Sequence, residues 1–163
     1  MKPIETSLCF IFDRQGRCLM QRRQREPHRG QWNAPGGKLL VGETPEAACR
    51  REVREETGLT LDRVLALGSV DCIDLEDADN AWRLHLFTSR HPLAPVAPGQ
   101  EGELAWLEPA FLVRGGEEVV HNIPLILPLI IRGVPLQGRF EYRGEFLVRY
   151  NISLTNGGRG LRI

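Results

Sequence analysis

Long apolar runs are missing from this chain of 163 residues. The longest, residues 123–131, is interrupted by Pro124 and Pro128 and stops at Arg132. A membrane-crossing helix needs about 20 apolar residues, so no membrane partner is expected. The apolar stretch at residues 8–12 is shorter than the core of a secretion signal and has no basic segment before it, so a cytoplasmic protein is expected. Net charge is missing too. Lys and Arg total 21, Asp and Glu total 21, and this balance excludes a protein that holds a nucleic-acid polymer through a basic surface. Cysteine is scarce: Cys9, Cys18, Cys49 and Cys72 form no CxxC pair and no Cys/His spacing. Structural zinc and a disulfide framework are thereby excluded, and reduced thiols among apolar neighbours are expected.

What is present fits one globular domain over residues 1–163, with 42% hydrophobic and 26% charged residues, near the average for such domains. Residues 8–12 predict a strand that turns at 13–16 and resumes at 18–20; residues 26–30 predict a loop. Thr44-Pro45-Glu46 is a helix start: a capping hydroxyl, a proline at the first helical position and an early acid. Gly58 is a natural stop, so a helix is predicted over 45–57. Strands are predicted over 64–73 and 82–88, with the acidic turn 74–80 between them. A Pro-rich loop over 91–99, a strand at 104–107 and a helix starting at 109–113 follow. Residues 125–131 read as either a buried helix or a buried strand. A hairpin, 140–142 with 146–152, closes the chain. The predicted class is mixed α/β.

The helix over 45–57 carries the chemistry. At about 100° per residue, Glu52, Glu55 and Glu56 fall within one arc of roughly 100°. Arg50 and Arg54 point the opposite way, and Cys49 with Val53 form an apolar edge. Like charges at i,i+4, as at Glu52 and Glu56, repel. A hard divalent cation converts that repulsion into ligation, because Mg²⁺ prefers carboxylates, water and phosphate oxygens. The competing reading is a solvated acidic face partly balanced by Arg51. The loop before the helix favours the ion, since Pro35-Gly36-Gly37 can turn backbone groups toward an ion or a phosphate.

Residues Gly37, Glu43, Arg51, Glu52, Val53, Glu55, Glu56, Gly58 and Leu59 fill, in order, the pattern G-x5-E-x7-R-E-U-x-E-E-x-G-U, where U is aliphatic. At average residue usage this coincides by chance about once in a billion windows. The stretch 37–59 resembles the Nudix box, and the resemblance implies a Nudix-type α/β/α sandwich with a mixed β-sheet. It also implies a hydrolase of nucleoside diphosphate derivatives that uses Mg²⁺ or Mn²⁺. Carried over by position, Glu52, Glu55 and Glu56 are the metal-binding carboxylates, the Gly37 carbonyl is a further ligand, and Glu43 pairs with Arg51 to lock loop to helix. For the group that accepts the proton of the attacking water, the resemblance leaves Glu52 as first choice and Glu101 or Glu103 as second.

No Pro or Tyr follows the box before residue 91, so the markers of the ADP-ribose, dinucleoside polyphosphate and NADH subfamilies are absent. The flanks instead resemble the MutT-like, 8-oxo-dGTP diphosphatase group: Gln31-Trp32-Asn33-Ala34-Pro35-Gly36-Gly37-Lys38 on one side, and Leu127 to Ile131 with Gly138 to Tyr142 on the other. On that resemblance the partner is a nucleotide. Gly36, Gly37, Lys38 and Arg23 lie near the phosphates, and Asn33 and Asn122 read a purine edge. Ile123 stands where a second base-reading aspartate would be expected. Asn33 has a bland alternative, a bond to its own local backbone. His121 reads as structural. Hydrolysis of a nucleotide sugar, ADP-ribose or a dinucleotide, and a nucleotide-sensing domain without turnover, are the competing functions.

Overall fold

The computed structural model describes residues 2–91 and 102–155. The chain runs β1 (Ile4–Phe12), β2 (Cys18–Arg22), β3 (Trp32–Asn33), β4 (Gly36–Lys38), α1 (Pro45–Thr57), β5 (Leu65–Asp74) and β6 (Ala81–Arg90). It continues through β7 (Leu104–Leu107), α2 (Pro109–Arg114), α3 (Ile123–Ile131), β8 (Leu136–Arg143) and β9 (Phe146–Leu154). The strands join in one mixed sheet of order β3-β2-β1-β6-β5-β8-β9. Two pairings in it, β1 with β6 and β5 with β8, are parallel. One edge of β1 is shared: β2 meets it at Phe12 and β4 at Thr6 to Leu8. The fork between those two partners leads straight into the box.

Alternation along β1 decides the layering. Leu8, Phe10 and Phe12 point to one face and join Ile123, Ile126 and Leu127 of α3 in the larger core. Cys9 and Ile11 point to the other face and pack with Leu19, Phe87 and the Cys49–Val53 edge of α1. Helices therefore cover both faces, an α/β/α arrangement with a mixed sheet, as expected. Both faces of β1 being buried is also why it reads as a continuous apolar run. All four cysteines are free thiols, three of them buried. Burial holds the Cys18 thiol well above its ordinary value and pushes Cys72 up to about 12, so both stay protonated and inert.

The helix over 45–57 forms with the predicted bounds and caps. Thr44 Oγ1 accepts the Ala47 N–H at 3.2 Å, and Gly58, at φ 76°, donates its N–H to Arg54 O. Several expectations need correction. Residues 125–131 are helix, beginning at Ile123 with Pro124 in its first turn, and Pro128 is tolerated inside it. The strand expected at 140–142 starts earlier, at Leu136. A side chain on Gly138 there would press within 2.9 Å of Val70 Cγ2, so close strand packing favours glycine. β1 likewise starts earlier than residue 8, because the polar Thr6 and Ser7 are buried in it. β3 and β4 were not expected as strands at all; each is two or three residues whose pairing comes from β2 and β1. The loop expected at 91–99 lies almost wholly outside the described residues, as does Glu101.

Replacing Thr44 by Ala removes the cap of α1 and is expected to cost about 1 kcal/mol of stability. Urea unfolding measures it; an unchanged midpoint would contradict the capping role.

Candidate active site

Arg51 organises the box. Its guanidinium grips Glu43 with two parallel bonds, Nε to Oε1 at 2.8 Å and Nη2 to Oε2 at 3.0 Å. Nη1 reaches Glu52 Oε1 at 2.8 Å and Glu55 Oε2 at 3.3 Å, and Nη2 also donates to the Lys38 carbonyl at 3.1 Å. Glu43 in turn accepts the Leu40 N–H at 2.9 Å. One planar fork thus ties the end of β4, the 39–43 loop and α1 together, a geometry lysine's point charge does not reproduce. Arg51 holds the Glu43 carboxyl down at about 2, with help from the Leu40 N–H, and Glu43 holds the guanidinium above its ordinary value. The ion pair expected between Glu43 and Arg51 is present.

Both glycines of the entrance are fixed by close approach. A Cβ on Gly36 would run into the Ser7 carbonyl, and one on Gly37 would overlap the carboxylate of Glu52. Glu52 therefore lies directly against the Gly37 backbone. Glu56 is only 4% exposed, and its Oε2 accepts the Gly36 N–H at 3.2 Å. Glu52 and Glu56 lie beside Gly37 and Gly36, whereas Glu55 is exposed and meets Arg51. Among the described residues, however, no three acidic, His or Cys side chains are close enough to enclose a metal ion as they stand. Arg51 Nη1 binds Glu52 and Glu55 instead. The donor set is all carboxylate and carbonyl oxygen, which suits a hard cation, and Gly37 leaves room for nothing bulkier than backbone beside Glu52.

The other expected residues fall around two neighbouring regions. Lys38 Nζ rests over the Trp82 indole at 5.2 Å. Asn33 Oδ1 accepts the Ala34 N–H at 2.9 Å, the local backbone bond of its bland reading, so its NH₂ is what it has left to offer. Arg23 Nε donates to the Pro27 carbonyl at 2.7 Å beside His28. Glu103 sits 3.6 Å from Arg22 and is exposed. Asn122 heads α3 and is 7% exposed. A separate open hollow of about 600 Å³ lies on the flank of α1, lined by Arg50, Arg51, Arg54, Glu55, Thr60 and Leu61.

Five buried polar atoms have no hydrogen-bond partner among the described residues: Ser7 Oγ, Gln21 Nε2, Arg22 Nε, His121 Nε2 and Asn122 Oδ1. An unmatched buried group costs about 1–3 kcal/mol, so a fold that keeps five of them is prepared for something polar. Ser7 stands directly opposite Gly37 across the β1–β4 pair, and Gln21 opposite Asn33 across β2–β3. The sequence carried little signal for them: Ser7 stands at the polar start of β1 and Gln21 at the polar end of β2, yet both are buried.

The model of the NUDIX domain matches residues 2–121, most of the chain. The chain belongs to the Nudix family. It is 27% identical over 142 residues to the oxidized purine nucleoside triphosphate hydrolase of Danio rerio, covering 82% of this chain and 83% of that one. It is 30% identical over 139 residues to an uncharacterized Nudix hydrolase of Bacillus subtilis, covering 78% and 82%. The fold matches the crystal structure of the MutT protein from Bacillus halodurans with a TM-score of 0.77 at 24% identity, over 91% of this chain and 97% of that one. The protein is a Nudix hydrolase, and such hydrolases generally use divalent metal ions such as Mg²⁺. No helix among its described residues is long and apolar enough to cross a membrane.

The depressed Glu43 carboxyl makes a pH prediction. Its folded-state value lies below the ordinary 4.5, so its pairing stabilises the Nudix fold above that pH and is lost as pH falls toward about 2. Glu43→Gln should therefore be less stable than the parent at pH 7, with the gap closing between about pH 4.5 and 2. Paired urea titrations across that range measure it, and a gap independent of pH would contradict the assignment.

Proposed function

We propose that the protein hydrolyses purine nucleoside triphosphates, oxidised ones such as 8-oxo-dGTP among them, to monophosphate and pyrophosphate with Mg²⁺, Mn²⁺ being an alternative ion. The observation that carries the reading is the Arg51 clamp, which ties Glu43 to Glu52 and Glu55 of α1 where Glu52 lies against the Gly37 backbone. The similarity to a purine triphosphate hydrolase over more than four-fifths of both chains supports the substrate class. Residues 1–163 act as one domain: α3, β8 and β9 extend past most or all of the family match, yet α3 closes the core over β1, and β8 pairs with β5.

In this reading Glu52, Glu55 and Glu56 hold the ion, with the Gly37 carbonyl as a further ligand. Bound there, Mg²⁺ neutralises diphosphate charge and lowers the pKa of a water for attack on phosphorus. Arg51 releases Glu52 and Glu55 to that role while keeping its two bonds to Glu43, so loop and helix stay registered. Glu52 takes the water proton. Glu103 is less suited because it is paired with Arg22, and Glu101 remains the other choice for that role. Lys38 swings from the Trp82 indole to the phosphates, Arg23 flanks them, and the amides of Asn33 and Asn122 face the base.

A panel of dGTP, 8-oxo-dGTP, dATP, dCTP, ADP-ribose and a dinucleoside tetraphosphate tests this, with pyrophosphate and phosphate release followed with and without Mg²⁺. The expected result is Mg²⁺-dependent pyrophosphate release from the purine triphosphates. Glu56→Gln should lower kcat by more than about 100-fold with the fold intact. Preference for ADP-ribose or the dinucleotide would overturn the substrate, and full metal-dependent turnover in Glu56→Gln would overturn the ligand set. No turnover on any of them would favour a nucleotide-sensing domain.

A further inference from the structure

Three half-buried rings form a ladder on the face of the sheet that carries α3. The Tyr142 and His121 rings are 5.0 Å apart and the His121 and His28 rings 5.3 Å apart, both edge to face. Asn122, next in the chain, stands at the N-cap of α3. Asparagine is among the best capping residues, yet its side chain makes no capping bond here. Its Oδ1 and the neighbouring His121 Nε2 are instead buried with no hydrogen-bond partner among the described residues. Orphaned polar atoms on two consecutive residues, beside three aromatic rings, describe the complement of a heterocycle with a polar edge.

We propose that His121 is a base-reading residue: its Nε2 hydrogen-bonds the edge of the substrate's purine next to Asn122 Oδ1, with the base lying against the ring ladder. The inference rests on the nucleotide reading above and deepens it. Burial and the nearby His28 hold His121 below its ordinary value, so the imidazole is neutral at physiological pH. A neutral imidazole presents Nε2 as donor in one tautomer and acceptor in the other. Guanine offers N7 as an acceptor, whereas the 8-oxo form carries N–H there. His121 therefore accommodates either edge, and it distinguishes purines from pyrimidines more strongly than it distinguishes oxidised from normal guanine.

The variant His121→Phe keeps a ring between Tyr142 and His28 and removes Nε2. Two readouts are made: KM and kcat for dGTP, 8-oxo-dGTP and dCTP, and the His121 ¹⁵Nε2 resonance of the intact protein as dGMP or dCMP is added. The expected result is a rise in KM of about tenfold for both purine triphosphates, with kcat and the dCTP values unchanged, and a shift of the Nε2 resonance with dGMP only. Unchanged purine KM together with a still resonance would overturn the role of His121 while leaving the hydrolase reading intact. Equal losses for dCTP would overturn it too, by making the ring merely structural. A protein that turns over no triphosphate but whose Nε2 shifts with dGMP would keep His121 as base reader and sink the hydrolysis reading alone.

Discussion

Everything at this site depends on how one arginine spends its five N–H donors. Glu43, Glu52 and Glu55 are gathered within reach of a single guanidinium, which also closes on the Lys38 carbonyl. Carboxylates set this close repel one another unless a cation stands among them. Arg51 is that cation in the structure, and its planar fork fixes geometry as well as charge. Two parallel bonds hold Glu43, whereas Glu52 and Glu55 each receive a single contact from the same Nη1. The same side chain thereby serves as clamp and as counter-ion.

The sheet provides the rest through alternation. The face under α1 presents Gly37 to Glu52 and places Ser7 opposite Gly37. The other face, under α3, assembles the ring ladder and the orphaned polar atoms at the head of that helix. The carboxylate cluster and the ring ladder thus arise from opposite faces of one sheet. Neither face is free to drift, because the cores on both sides of β1 are filled.

Local signals were legible in the sequence and long-range ones were not. The bounds of α1 follow from Thr44, Pro45 and Gly58, and the Glu43–Arg51 pair follows from the box. β3 and β4 were invisible because strands of two or three residues draw their stability from partners elsewhere in the chain. The helix from Ile123 was ambiguous because an apolar run has no period to distinguish helix from strand, and Pro128 argued against the helix that packing imposes. At the site, Lys38, Arg23 and Asn33 were named for their types, but their partners in the structure are Trp82, the Pro27 carbonyl and the Ala34 N–H. His121 was passed over because a lone histidine beside an apolar run is most often structural; only its burial next to Asn122 sets it apart.

The central claim is that Glu52, Glu55 and Glu56, two of them now held by Arg51, are the carboxylates that meet a divalent ion. The most direct measurement is a crystal structure of the protein grown with Mn²⁺, with the anomalous signal used to locate the metal. The account predicts a peak bounded by Glu52, Glu55 and Glu56 and the Gly37 carbonyl, with Arg51 still paired to Glu43. A peak elsewhere, or an Arg51 that keeps Glu52 and Glu55 while the ion binds other residues, would contradict it.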